Sequence, residues 1–126
     1  EGLPKPTEKD FPEHEFMGGE YYASFQRVKN YLKDYSRAHF YKGIFPQTAG
    51  PGERMRFSFV NIDVDLYQPT HDSLAFFYPR MNLSGVILSH DYHKPGGVQK
   101  AIKEFFANKP EMIFETIGSQ CFIVKS

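Results

Sequence analysis

Phe57-Ser58-Phe59-Val60-Asn61-Ile62 runs directly into Asp63-Val64-Asp65, and Val86-Ile87-Leu88-Ser89 runs directly into His90-Asp91. Both segments are continuously apolar rather than alternating, which is how parallel strands covered on both faces read. Between them the period changes to that of a helix. Pro69 suits a first helical turn, Leu74, Phe77, Tyr78 and Met81 form a stripe, and Asn82, Ser84 and Gly85 end it. After the second strand, Pro95-Gly96-Gly97 leads into another helix with Val98, Ile102, Phe105 and Phe106 on one side, closed by Pro110. Two further strands are expected at Met112–Ile117 and Cys121–Val124, joined by Gly118-Ser119-Gln120. This alternation predicts an α/β domain with a mainly parallel sheet and an antiparallel hairpin at its C-terminal end.

Upstream, the first twenty residues are rich in Pro, Gly and charge and read as loop. A chain that opens this way without an initiator Met reads as a fragment or a processed product. Tyr21, Phe25, Val28, Leu32 and Tyr35 follow at steps of four and three, one stripe of a helix. Ala38-His39-Phe40-Tyr41 is a short strand candidate ended by Gly43, and the stretch 45–56, with Pro46, Gly50, Pro51 and Gly52, reads as a long connection.

With 126 residues, the chain is expected to form a single domain over 1–126. Lys and Arg (15) balance Asp and Glu (15), which argues against a partner such as nucleic acid or an anionic membrane. The single cysteine, Cys121, excludes an internal disulfide and is read as a small core residue. No apolar run approaches the ~20 residues of a membrane span, and no leader opens the chain. A cytoplasmic protein is the expectation. The 17% aromatic share is high for a mean hydropathy of -0.50, and its stripes read as core.

In an open α/β sheet, ligands bind beyond the carboxyl ends of the strands. Asp63 and Asp65 follow one middle strand and His90 and Asp91 the other, so adjacent strands would bring three carboxylates and an imidazole together. Repulsion among unpaired carboxylates would raise at least one pKa, and a divalent cation removes that cost. Oxygen ligands suit Mg²⁺ or Ca²⁺, while a histidine ligand moves the preference toward Mn²⁺, Fe²⁺ or Zn²⁺. The competing reading is that an acid such as Asp65 or Asp91 merely caps the next helix. His14 and His39 read as loop residues and His71 as part of a first helical turn. His93 completes an H-x-x-H, which alone is a weak metal signal. No G-x-G-x-x-G, Walker-type loop or G-x-S-x-G elbow is present.

The order Ile62-Asp63-Val64-Asp65-Leu66-Tyr67, Pro69-Thr70, Leu74, Tyr78-Pro79-Arg80, Gly85-Val86-Ile87-Leu88 and Asp91-Tyr92 resembles the macrocin O-methyltransferase family. These are class I S-adenosylmethionine-dependent enzymes that methylate sugar hydroxyls on natural products. Glu1-Gly2-Leu3-Pro4 resembles the family's loop after its second strand, and Phe40 to Phe45, including Lys42-Gly43, its third-strand exit. The resemblance implies a Rossmann-like sheet lacking its first two strands, with S-adenosylmethionine as donor and a small-molecule acceptor. It implies Asp63, His90 and Asp91 as ligands of a divalent cation (Mg²⁺ or Mn²⁺) and Asp65 as general base. The family has Asp-Asp where this chain has His90-Asp91. Its glycine-rich cofactor loop would lie upstream of Glu1, which leaves the cofactor-binding residues of this chain unassigned.

The two strands missing from that sheet would sit between the Ala38–Tyr41 and Phe57–Ile62 strands. An edge exposed by their absence favours pairing with another chain, so a homo-oligomer is expected. Tyr67, Gln68 and Tyr92 flank the acids and are candidates to line an acceptor pocket. Two other readings stay open: a non-catalytic methyltransferase-like fragment that folds by oligomerising, and a D-x-D glycosyltransferase. Tyr67 stands where an aspartyl phosphatase would carry Thr or Val.

Overall fold

The computed structural model describes residues 2–10, 17–94 and 97–126. His14 and the Pro95-Gly96 pair, read above as loop and turn, lie outside the described residues. The elements that position the site are β1 (Phe57–Ile62), α2 (Tyr67–Phe77), β2 (Met81–Ser89) and α3 (Val98–Phe106), preceded by α1 (Phe25–Tyr31) and followed by β3 (Ile113–Glu115) and β4 (Cys121–Val124). The four strands form one sheet in the order β1-β2-β4-β3. β1 and β2 are parallel, and β4 runs antiparallel to both β2 and β3. The two middle strands are therefore neighbours, as the convergence of their acids requires.

The apolar runs enter the core in part, and β1 is not covered on both faces as expected: Val60 and Ile62 are buried, while Ser58, Phe59 and Asn61 are exposed. Val60 and Ile62 of β1, Ile87 of β2 and Ile123 of β4 pack with Leu74, Met81, Tyr92, Val98, Ile102, Phe106 and Cys121. Cys121 is a core residue, and burial pushes its thiol up to about 12. Helix α2 ends at Phe77 and passes through a 3-10 turn over Tyr78–Arg80. A proline at 79 would clash with the carbonyl four residues earlier if the α-helix continued. Met81, expected on the helical stripe, opens β2 instead. The register of β1 on β2 shifts between Phe57 and Phe59, so residues 82–85 bulge. Gly85 is needed there, because a Cβ would stand 2.9 Å from the Asn82 carbonyl oxygen.

The N-terminus of α2 is capped from far away in sequence. Asp10 Oδ1 accepts from the Tyr67 amide at 2.7 Å, across 57 residues. Its Oδ2 accepts from the Thr7 amide and hydroxyl at 2.7 and 2.9 Å. A buried carboxylate at this position satisfies orphan amides and complements the helix dipole.

Two expectations upstream change. Helix α1 is only seven residues long, started by Ser24, whose hydroxyl accepts from the Arg27 amide. Tyr21 has a φ of 58° and cannot belong to it. Of the five stripe positions, Phe25, Val28 and Leu32 are half-buried while Tyr21 and Tyr35 are exposed. Ala38–Tyr41 forms no ladder with any described strand. A short β-favouring run stays irregular when nothing satisfies its backbone. The outer edge of β1 likewise has no partner strand among the described residues, and Phe59 on it is 62% exposed.

Candidate metal and active site

The β1–β2 ladder extends one step past the end of β2, because the His90 amide donates to the carbonyl of Ile62, the last residue of β1, at 2.9 Å. That bond sets His90 beside Asp63. The next residue, Asp91, turns with a φ of 56°, and Asp65 turns with a φ of 59°. Asp and Asn tolerate this left-handed region better than other non-glycine residues. Tyr92, fully buried, anchors the turn: its amide donates to the Ser119 carbonyl at 2.7 Å and its hydroxyl to Glu115 at 3.1 Å.

One donor atom each from Asp63, His90 and Asp91 lie within 4.8 Å of one another. His90 Nδ1 stands 3.6 Å from Asp63 Oδ1 and 3.1 Å from Asp91 Oδ1. Asp91 is the buried member, with its side chain 6% exposed. Its Oδ1 receives no well-directed hydrogen bond, although Lys94 Nζ approaches to 2.7 Å. A buried carboxylate oxygen without a directed donor is costly unless a cation faces it. Two carboxylates and an imidazole with one such oxygen form a donor set that fits a divalent ion.

Asp65 stands beside the trio rather than in it. Strand β1 stops at Ile62, so Asp65 reaches the cleft through its left-handed turn and not by the alternation of a continued strand. Burial, a hydrogen bond with Asp91 and the charges of Asp91 and Asp63 raise its carboxyl to about 6, against the opposing charge of Lys94. Burial also acts to raise Asp91, but Lys94, His90 and the Asp65 hydrogen bond outweigh it and hold that carboxyl below its ordinary value.

These residues form one wall of a cleft of about 560 Å³. The opposite wall comes from Gly2, Leu3, Glu20, Tyr21 and Ala23. It is stiffened by Leu3 N–H to Glu20 C=O at 2.9 Å and Gly19 N–H to Leu3 C=O at 2.8 Å. A Cβ on Gly2 would lie 2.4 Å from the Gly19 oxygen, so only glycine fits.

Of the expected site residues, Asp63, Asp65, His90 and Asp91 are brought together. His93 is not among them: its Nε2 faces Glu115 at 3.5 Å. Tyr67 and Tyr92 do not line the cleft; both are buried, with Tyr67 bonded to Glu104 at 2.5 Å. Gln68 donates to Asp72 along α2 at 2.8 Å and also stays out of the cleft. Gly2 and Leu3 belong to the Glu1-Gly2-Leu3-Pro4 stretch that resembles the family, whereas Lys94, Glu20, Tyr21 and Ala23 carry no motif that marks them as site residues.

Residues 1–118 match the macrocin O-methyltransferase family, TylF. The chain belongs to this family. Among solved structures, the O-methyltransferase NovP superposes with a TM-score of 0.75 at 18% identity, over 99% of this chain and 56% of NovP. The calicheamicin methyltransferase CalS11 superposes with a TM-score of 0.78 at 15% identity, over 98% of this chain and 56% of CalS11. The fold is thus that of the matched part of these two methyltransferases, and the chain spans about half the length of either. No curated protein sequence is a significant match to the chain. Among the described residues, no helix is long and apolar enough to cross a membrane.

Proposed function

We propose that this macrocin O-methyltransferase family member takes part in a cation-assisted transfer of a methyl group from S-adenosylmethionine to a hydroxyl of a small, sugar-like acceptor. The observation that carries this reading is the convergence of Asp63, His90 and Asp91 at the carboxyl ends of two parallel strands, with Asp65 beside them. When bound, the cation would supply a Lewis acid that acidifies the acceptor hydroxyl, and the donor an electrophilic methyl sulfonium.

The chain's own residues divide the remaining work. Asp63, His90 and Asp91 hold the cation. Asp65, outside the donor trio but lining the same cleft, accepts the hydroxyl proton on its carboxylate as general base. The wall built by Gly2, Leu3 and Glu20 restricts the acceptor's approach to the acids. Calorimetric titration of Mn²⁺ and Mg²⁺ into the protein, followed by S-adenosylhomocysteine, tests the reading. Cation binding that Asp63→Asn and Asp91→Asn each weaken supports it. No cation binding, either by the unmodified full-length protein or by a variant lacking the Lys94 ammonium, overturns it.

A further inference from the structure

Among the described residues, Lys94 is the one lysine lining the cleft, and no arginine lines it. Its side chain is 58% exposed, yet its Nζ lies 2.7 Å from Asp91 Oδ1, the oxygen that is buried and lacks a directed hydrogen bond. The backbone holds it there. The Lys94 amide donates to the Asp91 carbonyl at 3.1 Å, closing a turn that brings the two side chains together. Three carboxylates, those of Asp63, Asp65 and Asp91, line the same wall, and without a cation they repel one another.

We propose that Lys94 is a built-in counter-ion of the cation site: its ammonium occupies the Asp91 oxygen that a divalent cation needs, and so weakens cation binding. The inference rests on the metal-site reading above. An ammonium and a divalent ion cannot both take one buried oxygen, so binding requires Lys94 to leave. Its own side chain is 58% exposed and regains water on leaving, while the incoming ion takes over neutralising the buried Asp91 oxygen. Lys94 thereby offsets part of the acidic cluster's charge while the site is empty and sets how strongly an ion must bind to enter.

The test is Mn²⁺ affinity, read by calorimetry or by the spin resonance of the ion, at one pH and ionic strength. Lys94→Met should bind Mn²⁺ about three- to tenfold more tightly than the unmodified protein. Lys94→Arg, which keeps the charge, should stay close to the unmodified value. High salt should shrink the difference. Equal or weaker binding by Lys94→Met overturns the proposal and leaves the metal site standing. Tightening in Lys94→Arg as large as in Lys94→Met also overturns it, because the charge is retained. Binding by neither the unmodified protein nor Lys94→Met overturns the counter-ion and the metal site together. Binding by Lys94→Met alone supports both.

Discussion

Asp65 and Asp91 leave the ends of two adjacent parallel strands in the same left-handed backbone conformation, with φ of 59° and 56°. The paired turns bring their carboxyl groups close enough that each shifts the proton affinity of the other. Each turn costs roughly 1 kcal/mol for a residue with a Cβ. Two such costs side by side at a cleft mark a place where side-chain position is held against backbone preference.

Base and ligand separate by substitution at the D-x-D pair. Asp65→Asn keeps a residue that tolerates the left-handed turn, so the fold should survive. In the full-length enzyme we expect turnover to fall by ~10²–10⁴ while Mn²⁺ affinity stays within a few-fold. Asp63→Asn should lower affinity and turnover together. Steady-state kinetics alongside calorimetry reads both, and equal loss of Mn²⁺ binding in the two variants would make Asp65 a ligand as well.

On the proposed metal-site reading, His90 sets the metal preference. An imidazole favours Mn²⁺ over Mg²⁺ relative to a carboxylate, so His90→Asp should lower the ratio of Mn²⁺ to Mg²⁺ affinity. An unchanged ratio would remove His90 from the ligand set.

Asp10 holds the N-terminus of α2, and with it the loop that presents Asp65. Asp10→Ala deprives the Tyr67 amide of its 2.7 Å acceptor. A stability loss of about 1–3 kcal/mol follows, to be measured by urea unfolding. A loss below a few tenths would show that water replaces the cap.

Glu111 gives stability a pH dependence. Burial acts to raise its carboxyl, but Lys125, Tyr78 and Ser126 outweigh burial and bring it down to about 2. Lys125 Nζ donates at 2.7 Å and Tyr78 Oη at 2.9 Å. The folded value lies below the unfolded one, so the unfolded chain binds more protons in between. The contribution is therefore complete above the ordinary carboxylate range and is lost as pH falls toward 2. Lys125→Met should lower stability near neutrality by about 3 kcal/mol and flatten the acid slope. A parallel, undiminished slope in urea unfolding would contradict this assignment.

The unpaired edge of β1, with Phe59 exposed on it, should make residues 1–126 self-associate at ~100 μM. Light scattering checks this, and Phe59→Lys should reduce the assembly. A clean monomer at that concentration would contradict it.

What the sequence by itself determined follows from signals that are local. Apolar runs such as Phe57–Ile62 and Val86–Ser89 mark strands from their own composition, and the stripe through Val98, Ile102 and Phe106 needs only its own period to be read. The acids Asp63, Asp65 and Asp91 with His90 were legible too, but only on the condition that the two strands be neighbours. Tertiary structure supplied that condition through the Ile62↔Ser89 register. It also decided what no local signal encodes. Ala38–Tyr41 has strand composition yet finds no described partner for its backbone, and Pro79 moves Met81 from helix to strand. Asp10 meets Tyr67 across 57 residues. Lys94 reads as one charge among many until the fold turns it back onto a buried oxygen. Contacts between residues distant along the chain depend on register and backbone handedness, and those are set only when the whole sheet and its loops close together.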